Sequence, residues 1–404
     1  MGRKREMRGF IWIILLCVLM IASYLQEIFA AGSATGDTPL QLAAFAPEVK
    51  AKSAILLDAG TGTILYEQNS HEALPPASVT KVMTMLLALE AAEQGKVSLE
   101  DPVTISPRAA SMGGSQMYME AGEQHTLGEL LKGMAMASAN DACVACAEFI
   151  GGSEETFVEL MNRRAKELGM EDTHFVNTNG LPVAGHVTSA YDIGIMSREL
   201  LKHEAARAWF TTWQDTVSLG KAGKEVEFGL TNTNRLIKLY SGANGIKTGF
   251  TQDAGYCLSG SATRDGLTLI AVVMGCETTG DRWSETMRLL DHGFANYESI
   301  CAAEAGQSFG SLAVEKGREE QVEAVCKEPV YLLLAKGQSD KVQVETLLQK
   351  SVKAPVAAGD PVGELVVTLD GRELQRVSLT AACDVPKASF GQILQRMLGV
   401  LLSP

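Results

Sequence analysis

The sequence has no basic stripe after its first eight residues, and its formal net charge is −13. A chain of this charge repels the phosphate backbone of nucleic acids, which argues against nucleic-acid binding. Internal repeats and low-complexity tracts are also absent. With 404 residues, 46% hydrophobic and 21% charged, the composition is that of a folded protein large enough for two domains.

The sequence also lacks the cysteine pattern of a disulfide framework. Seven cysteines follow the N-terminal segment, and most lie in apolar stretches, so we expect them to be small core residues. Cys143 and Cys146 have the spacing of a metal or redox motif, but no second cysteine pair or histidine pair stands near them. We therefore predict neither a metal site nor a cofactor.

The N-terminus has the layout of a secretory signal peptide. A basic segment at 1–8 precedes an apolar run at 10–22, and small residues follow near position 31. We expect residues 1–31 to be a signal peptide and residues 32–48 a leader, so that the bulk of the chain is exported. A retained membrane anchor is the alternative, although the apolar run is short for a span.

Residues 49–300 have the pattern of an α+β domain. Strand-like runs at 53–59 and 63–68 open it, runs at 256–262 and 267–274 close it, and the middle is helical. This order predicts one antiparallel sheet built from both ends of the domain, with the helices in a separate layer. A cleft between the sheet and the helices would follow.

Two helical segments of this domain have distinctive patterns. The almost wholly apolar run at 79–92 predicts a buried helix, and the run at 127–151 predicts two helices broken at 138–141. Asp141 is a suitable N-cap for the second of these two helices.

Beyond residue 300 the pattern changes. Short β-like runs separated by turns predict a small all-β domain at 301–386. The last segment, 387–404, places apolar residues at helical spacing and predicts an amphipathic helix that lies in a membrane interface. Docking of this helix on the all-β domain is the alternative.

Ser78 and Lys81 stand three residues apart, at the start of the apolar helix. This spacing puts the hydroxyl and the amine on one face, where the positive end of the helix favours an oxyanion. Burial lowers the pKa of a lysine, so a neutral Lys81 amine can take the serine proton. Ser218 and Lys221 have the same spacing but no apolar helix to hold them.

Two further motifs complete a candidate site. In the first, Lys247 would add a charge that lowers the pKa of Lys81, Thr248 offers a hydroxyl to a carboxylate, and Gly249 lets the backbone approach a ligand closely. In the second, Ser138 would relay a proton and Asn140 would hold a substrate amide. A surface turn and ordinary helix capping are the respective structural alternatives.

The three motifs in this order are the set found in penicillin-binding proteins and β-lactamases. The sequence resembles the low-molecular-mass penicillin-binding proteins, which are serine-type D-alanyl-D-alanine carboxypeptidases. The likeness extends to other segments, namely residues 76–84, 138–142, 174–177, 180–181, 189–192, 232–234, 247–251 and 254–256.

The resemblance implies a fold and a location. It implies a β-lactamase/transpeptidase-like domain (an antiparallel sheet plus a helical layer), a small all-β domain and a C-terminal amphipathic membrane helix. The protein would be peripheral to the outer face of the cytoplasmic membrane, on the cell-wall side.

The resemblance also implies a reaction. Ser78 would attack the penultimate D-alanine carbonyl of a peptidoglycan stem peptide, Lys81 would accept the proton and Ser138 would relay it. The terminal D-alanine would leave, and water would hydrolyse the acyl-enzyme. β-Lactams would acylate the same serine.

The remaining roles implied by the resemblance concern binding. Asn140 would contact an amide, Lys247, Thr248 and Gly249 would form the terminal-carboxylate site, and the backbone N–H groups of Ser78 and Phe250 would form the oxyanion hole.

Three other functions are compatible with parts of this pattern. A serine β-lactamase usually has an extra carboxylate for deacylation, and no convincing one stands in the sequence. A D,D-endopeptidase differs only in the length of substrate that its cleft accepts, so it stays open. A silent cell-wall binding protein would be expected to lack Ser78 or Lys81. His174 and His186 are expected to be structural.

Overall fold

The computed structural model describes residues 47–221 and 223–402. The segments predicted as the signal peptide and, apart from its last two residues, the leader lie outside this part of the chain. The central element is a five-stranded antiparallel sheet with the strand order β2-β1-β9-β8-β7. Its strands are β1 (Ser53–Asp58), β2 (Ile64–Gln68), β7 (Ala243–Thr251), β8 (Gly255–Arg264) and β9 (Leu267–Cys276).

The prediction of a sheet formed from both ends of the domain is confirmed. Successive side chains of a strand point to opposite faces, and here both faces are covered. Ile55 and Val272 pack into the core shared with the helical layer, whereas Leu56 and Val273 pack on the other side against α9 (Thr279–Asn296). The sheet therefore lies between two helical layers, not against one.

The helical layer is built around α1 (Lys81–Glu93), which is buried along most of its length, as its apolar sequence predicts. The other helices between β2 and β7 are α2 (Pro107–Ala110), α3 (Leu127–Ala137), α4 (Asn140–Gly151), α5 (Glu154–Glu167), α6 (Ala190–Leu200), α7 (Glu204–Thr211) and α8 (Leu236–Leu239). Two small two-stranded antiparallel sheets border this layer, β3 (Pro102–Thr104) with β4 (Gln124–Thr126) and β5 (Gln214–Leu219) with β6 (Val226–Thr231).

The sequence suggested that Ser78 lies in the first turn of the α-helix, but the structure places it before that helix. It lies in a 3-10 turn, Ala77–Thr80, that runs directly into α1. In a 3-10 helix the side chains at positions i and i+3 are eclipsed, which places Ser78 directly over Lys81. We call Ala77–Thr80 the nucleophile turn.

The predicted helix break at 138–141 is confirmed, but the prediction that Asp141 caps the second helix is wrong. Ser138 adopts a left-handed conformation at the end of α3, and Ala139 is the N-cap residue of α4. The Asp141 carboxylate instead accepts hydrogen bonds from the backbone N–H groups of Met117, at 3.0 Å, and Met119, at 3.3 Å. Its function is to hold the preceding loop against α4.

The remaining strands form the all-β part of the chain. β10 (Tyr297–Ala303) pairs with β13, and a six-stranded sheet has the order β14-β16-β17-β12-β11-β15. Its members and β13 are β11 (Ser308–Glu315), β12 (Gln321–Cys326), β13 (Val330–Ala335), β14 (Val342–Leu348), β15 (Ser351–Lys353), β16 (Pro361–Leu369) and β17 (Arg372–Ala381). Valine and leucine side chains, among them Val322, Leu365 and Leu379, form a separate core.

The seven cysteines of the described chain are all free. Five of them are buried, as expected for small core residues. For Cys301 and Cys383 this expectation is wrong, because both are exposed.

The final helix, α10 (Phe390–Leu402), is where the sequence predicts an amphipathic helix. Arg396 forms an ion pair with Glu320 at 2.9 Å and donates to the Gly317 carbonyl at 2.9 Å. Phe390 is 81% exposed and Leu394 is 46% exposed. Among the described residues, none of the helices combines the length and apolar character needed to cross a membrane.

Candidate active site

The Lys81 amine is the centre of the site. It is fully buried, and its Nζ lies 2.9 Å from Ser78 Oγ, 2.8 Å from Asn140 Oδ1 and 2.7 Å from the Asn179 carbonyl oxygen. The amide and carbonyl oxygens can only accept hydrogen bonds. When the amine is neutral, its two N–H groups are therefore used by Asn140 and Asn179, and its lone pair is left for the Ser78 hydroxyl.

Burial also sets the charge of this amine. It lowers the pKa of Lys81 to about 8, although the Asp141 carboxylate nearby opposes this shift. Burial lowers the pKa of Lys247 well below its ordinary value, and the like charge of Lys81 lowers it further. Because burial favours the uncharged form of an amine, a neutral Lys81 is accessible near neutral pH.

The loop between α3 and α4 brings one of its two predicted site residues to Lys81. Asn140 accepts from Lys81 and donates to the Gly113 carbonyl at 2.7 Å, so both ends of its amide are fixed. Ser138 is 5% exposed and lies in the same loop. Within the described residues its hydroxyl makes no hydrogen bond to Ser78 or Lys81.

The second wall of the site is the edge strand β7. Lys247 and Thr248 are only 1% and 6% exposed, which excludes a surface turn. The motif lies inside the strand. Thr248 Oγ1 donates to Thr233 Oγ1 at 2.9 Å, and the Thr233 N–H donates to the Met136 carbonyl, so β7 is joined to the end of α3.

Gly249 allows a close approach of the backbone, but the atoms that it approaches belong to another segment of the protein. A Cβ at this position would lie 2.9 Å from the Pro76 carbonyl oxygen and 3.2 Å from Ala77 Cβ. Glycine is therefore needed to pack β7 against the nucleophile turn. Phe250, the next residue, is 51% exposed and stacks on Tyr256 with a centroid distance of 4.3 Å.

The nucleophile turn is held from behind by His186. The Val176 N–H donates to its Nδ1 at 2.9 Å, so Nε2 carries the proton and donates to Thr80 Oγ1 at 2.8 Å. The Thr80 hydroxyl in turn donates to the Ala77 carbonyl at 2.8 Å. Burial lowers the pKa of His186 to about 4, which keeps it neutral. The structural role expected for this histidine is consistent with this geometry, and His174 is exposed on the surface.

The catalytic part and the all-β part of the chain match two different family models. Residues 41–278 match the family model of D-alanyl-D-alanine carboxypeptidases, and residues 297–387 match the model of the C-terminal domain of penicillin-binding protein 5. The chain belongs to the D-alanyl-D-alanine carboxypeptidase family.

Individual members of this family align over most of the chain. The D-alanyl-D-alanine carboxypeptidase DacF of Bacillus subtilis is 44% identical over 87% of this chain and 90% of its own length. DacA of Escherichia coli K12 is 33% identical over 86% and 87%. The crystal structure of penicillin-binding protein 5 from Haemophilus influenzae superposes with a TM-score of 0.68 at 31% identity, covering 87% of this chain and all of that one.

Two residues of this carboxypeptidase-family site were not found from the sequence. Asn179 contributes a backbone carbonyl, a contact that leaves no side-chain signal. The signal lies in the next residue, Gly180, which has φ +87° and at which a Cβ would overlap the Ala77 carbonyl oxygen. Arg282, on α9, is 8% exposed and donates to the Gly249 carbonyl at 3.3 Å.

Arg282 places a guanidinium charge behind the site. Its guanidinium lies 4.3 Å from the Trp283 ring centroid and 5.4 Å from that of Tyr256, and its charge contributes to the lowered pKa of Lys247. The end of the site near Lys247 is therefore electropositive although the chain is acidic. Across residues 47–221 and 223–402, no three histidine, cysteine, aspartate or glutamate side chains come together in a way that could hold a metal ion.

Proposed function

We propose that this chain is a serine D-alanyl-D-alanine carboxypeptidase that removes the terminal D-alanine from peptidoglycan pentapeptide stems through an acyl-enzyme on Ser78. The observation that carries this proposal is the Lys81 amine, which is buried, has a pKa lowered to about 8 and lies 2.9 Å from Ser78 Oγ. A neutral amine at this distance is the base that a serine nucleophile needs.

In the first step, Lys81 takes the Ser78 proton while Ser78 Oγ bonds to the penultimate D-alanine carbonyl carbon. The C–N bond to the terminal D-alanine then breaks, and its nitrogen receives the proton through Ser138. Water attacks the resulting ester, and its proton returns through Lys81 as Ser78 is released. A β-lactam ring opens by the same first step but leaves no departing amine.

The remaining groups bind the substrate and its oxyanion. The terminal carboxylate lies against Lys247 and Thr248, and the buried charge of Arg282 favours an anion there. The side-chain amide of Asn140 contacts the substrate amide. The backbone N–H groups of Ser78 and Phe250 receive the oxyanion, and Gly249 brings these two segments together.

The proposal extends to the organisation of the whole chain. Residues 1–31 act as a signal peptide, 32–48 as a leader, 49–300 as the catalytic domain and 301–386 as the all-β domain. Residues 387–404 lie on the outer face of the cytoplasmic membrane as a peripheral amphipathic helix. The exposure of Phe390 and Leu394 supports this last role.

The experiment that tests this function measures D-alanine release from a soluble pentapeptide by the purified chain. Wild-type protein should release one D-alanine per peptide, and Ser78→Ala should reduce the rate to background. Hydrolysis of benzylpenicillin far faster than D-alanine release would instead identify a β-lactamase. Cleavage of cross-linked dimers in preference to pentapeptide would identify an endopeptidase.

A further inference from the structure

Two consecutive backbone carbonyls face α1 in the active site. The Asn179 carbonyl accepts from Lys81 Nζ at 2.7 Å, and the carbonyl of the preceding residue, Thr178, accepts from Thr84 Oγ1 at 2.6 Å. Lys81 and Thr84 are three residues apart in α1, so one face of this helix binds both carbonyls. The direction of the Lys81 amine therefore depends on where the segment 178–179 lies.

The side chain of Thr178 fixes this segment from a second direction. Thr178 is fully buried, and its hydroxyl donates to Glu154 Oε1 at 3.0 Å. A buried hydroxyl without an acceptor is costly, so Thr178 stays in this position only while Glu154 accepts the bond. Thr178 is thus held through its carbonyl by Thr84 and through its hydroxyl by Glu154.

Glu154 is itself fixed by the surrounding helices. It lies in the first turn of α5, and its side chain is only 11% exposed. Its second carboxylate oxygen accepts from Arg108 Nη2, on α2, at 3.2 Å. A carboxylate is a stronger acceptor than a neutral oxygen, so the bond from Thr178 is a firm one. Glu154 therefore links α2 and α5 to the segment that carries the Asn179 carbonyl.

These contacts form a continuous connection from Glu154 to the nucleophile. Within the described residues, Glu154 makes no hydrogen bond to Ser78 or Lys81, so any effect on them passes through Thr178 and Asn179. A displaced Asn179 carbonyl would leave one N–H of the Lys81 amine unbound, and the amine could then turn away from Ser78 Oγ, which lies 2.9 Å from it. Small displacements of reacting groups lower reaction rates strongly.

We propose that Glu154 is a positioning residue for acylation, because it holds the Asn179 carbonyl in place through the Thr178 hydroxyl and so directs the Lys81 lone pair at Ser78. The inference rests on the proposed function, in which Lys81 is the base. A glutamate in the first turn of a helix also stabilises that helix through its dipole. Glu155, the next residue of the same turn, is exposed and can serve only this second role.

The test is a double-mutant cycle on acylation by benzylpenicillin, with the acylation rate constant and the Kd of the noncovalent complex measured separately by stopped flow. We expect Glu154→Ala and Thr178→Val each to lower the rate constant about tenfold, the equivalent of one lost hydrogen bond, and to leave Kd unchanged. Both changes remove the same bond, so the double variant should be no slower than either single variant. Circular dichroism checks folding, and Thr178→Val tests the bond from its other side if Glu154→Ala does not fold.

Two further variants separate positioning from helix stability. Glu154→Gln keeps an oxygen acceptor for the Thr178 hydroxyl and should recover most of the acylation rate, and Glu155→Ala should acylate like wild type. Wild-type acylation in Glu154→Ala, additive effects in the double variant, or an equal loss in Glu155→Ala would overturn the inference while leaving the carboxypeptidase function intact. A wild-type protein that benzylpenicillin does not acylate at all would overturn both.

Discussion

The chain contains two serine–lysine pairs of identical spacing in very different surroundings. Lys81 is fully buried and lies 2.9 Å from Ser78 Oγ, whereas Ser218 lies in β5 with an exposed side chain and Lys221 is exposed beyond the end of that strand. The same four-residue pattern therefore gives a reactive pair in one place and two solvated side chains in the other. What separates them is burial and local geometry.

The surroundings of the first pair explain its reactivity. The 3-10 turn stacks Ser78 over Lys81, burial lowers the pKa of the amine, and the oxygens of Asn140 and Asn179 fix its direction. The three-residue spacing of the serine and the lysine determines none of these conditions. Each of them can be removed separately, and the second pair provides the control.

The largest expected effect is the loss of the base. Lys81→Ala removes the proton acceptor, so acylation by benzylpenicillin should slow by about 10²–10⁴-fold, the usual contribution of a positioned acid or base. Lys221→Ala should leave the acylation rate unchanged. Stopped-flow or mass-resolved acylation, with circular dichroism to confirm folding, provides the comparison, and near-wild-type acylation in Lys81→Ala would show that another group is the base.

The pH dependence of acylation should be the next largest effect. The neutral amine is the reactive form, so the rate should rise about tenfold per pH unit below about pH 8 and level off above it. The Lys221→Ala variant should have the same profile as wild type. A rate that falls as the pH rises from 6 to 8 would contradict a neutral Lys81 as base.

Gly180→Ala tests the packing behind the nucleophile turn. The new Cβ would overlap the Ala77 carbonyl oxygen, so we expect the turn to shift and acylation to slow by about tenfold or more. Gly185→Ala is the matched control, because Gly185 also has a positive φ, +81°, but no atom lies near its Cβ position. If both variants slow acylation equally, backbone strain and not the contact with Ala77 is the cause.

The smallest expected effect concerns the support of the turn by His186. Thr80→Val removes the hydroxyl between His186 and the Ala77 carbonyl and leaves the buried Nε2–H without its acceptor. We expect this change to lower the free energy of unfolding by about 1–3 kcal/mol, which denaturant titration can measure. Thr80→Ser keeps the hydroxyl and should recover most of the loss. Equal stability of wild type and Thr80→Val would show that the hydrogen bonds of the Thr80 hydroxyl do not contribute to the stability of the fold.

The sequence was sufficient for β1, β2, β8 and β9 and for the helices α1, α3 and α4, because their apolar patterns are strong and local. It did not predict β7 as a strand. The sequence also singled out Ser78, Lys81 and Asn140 by their types and spacing, and the structure brings their side chains into contact around the Lys81 amine. What the sequence did not reveal depends on distant parts of the chain. The Asn179 carbonyl reaches Lys81 across 98 residues, and Arg282 reaches Gly249 across 33.

The errors have a similar origin. Asp141 resembles an N-cap, but after the left-handed Ser138 the helix starts two residues earlier, with Ala139 as its N-cap, and the carboxylate is free to accept from Met117. Gly249 suggested a close approach of the backbone, and its Cβ position faces Pro76 and the nucleophile turn. In both cases the residue type correctly marked an unusual local requirement, and only the tertiary contact identified the partner.

The most direct test of the account is to locate the acyl group. Intact-mass analysis after incubation with benzylpenicillin should give one penicilloyl adduct per chain, and peptide mapping should place it on Ser78. Ser218→Ala should be labelled like wild type and Ser78→Ala should not be labelled. A stoichiometric adduct on Ser78→Ala, or an adduct mapped to Ser218, would contradict the assignment of Ser78 and Lys81 as the reactive pair.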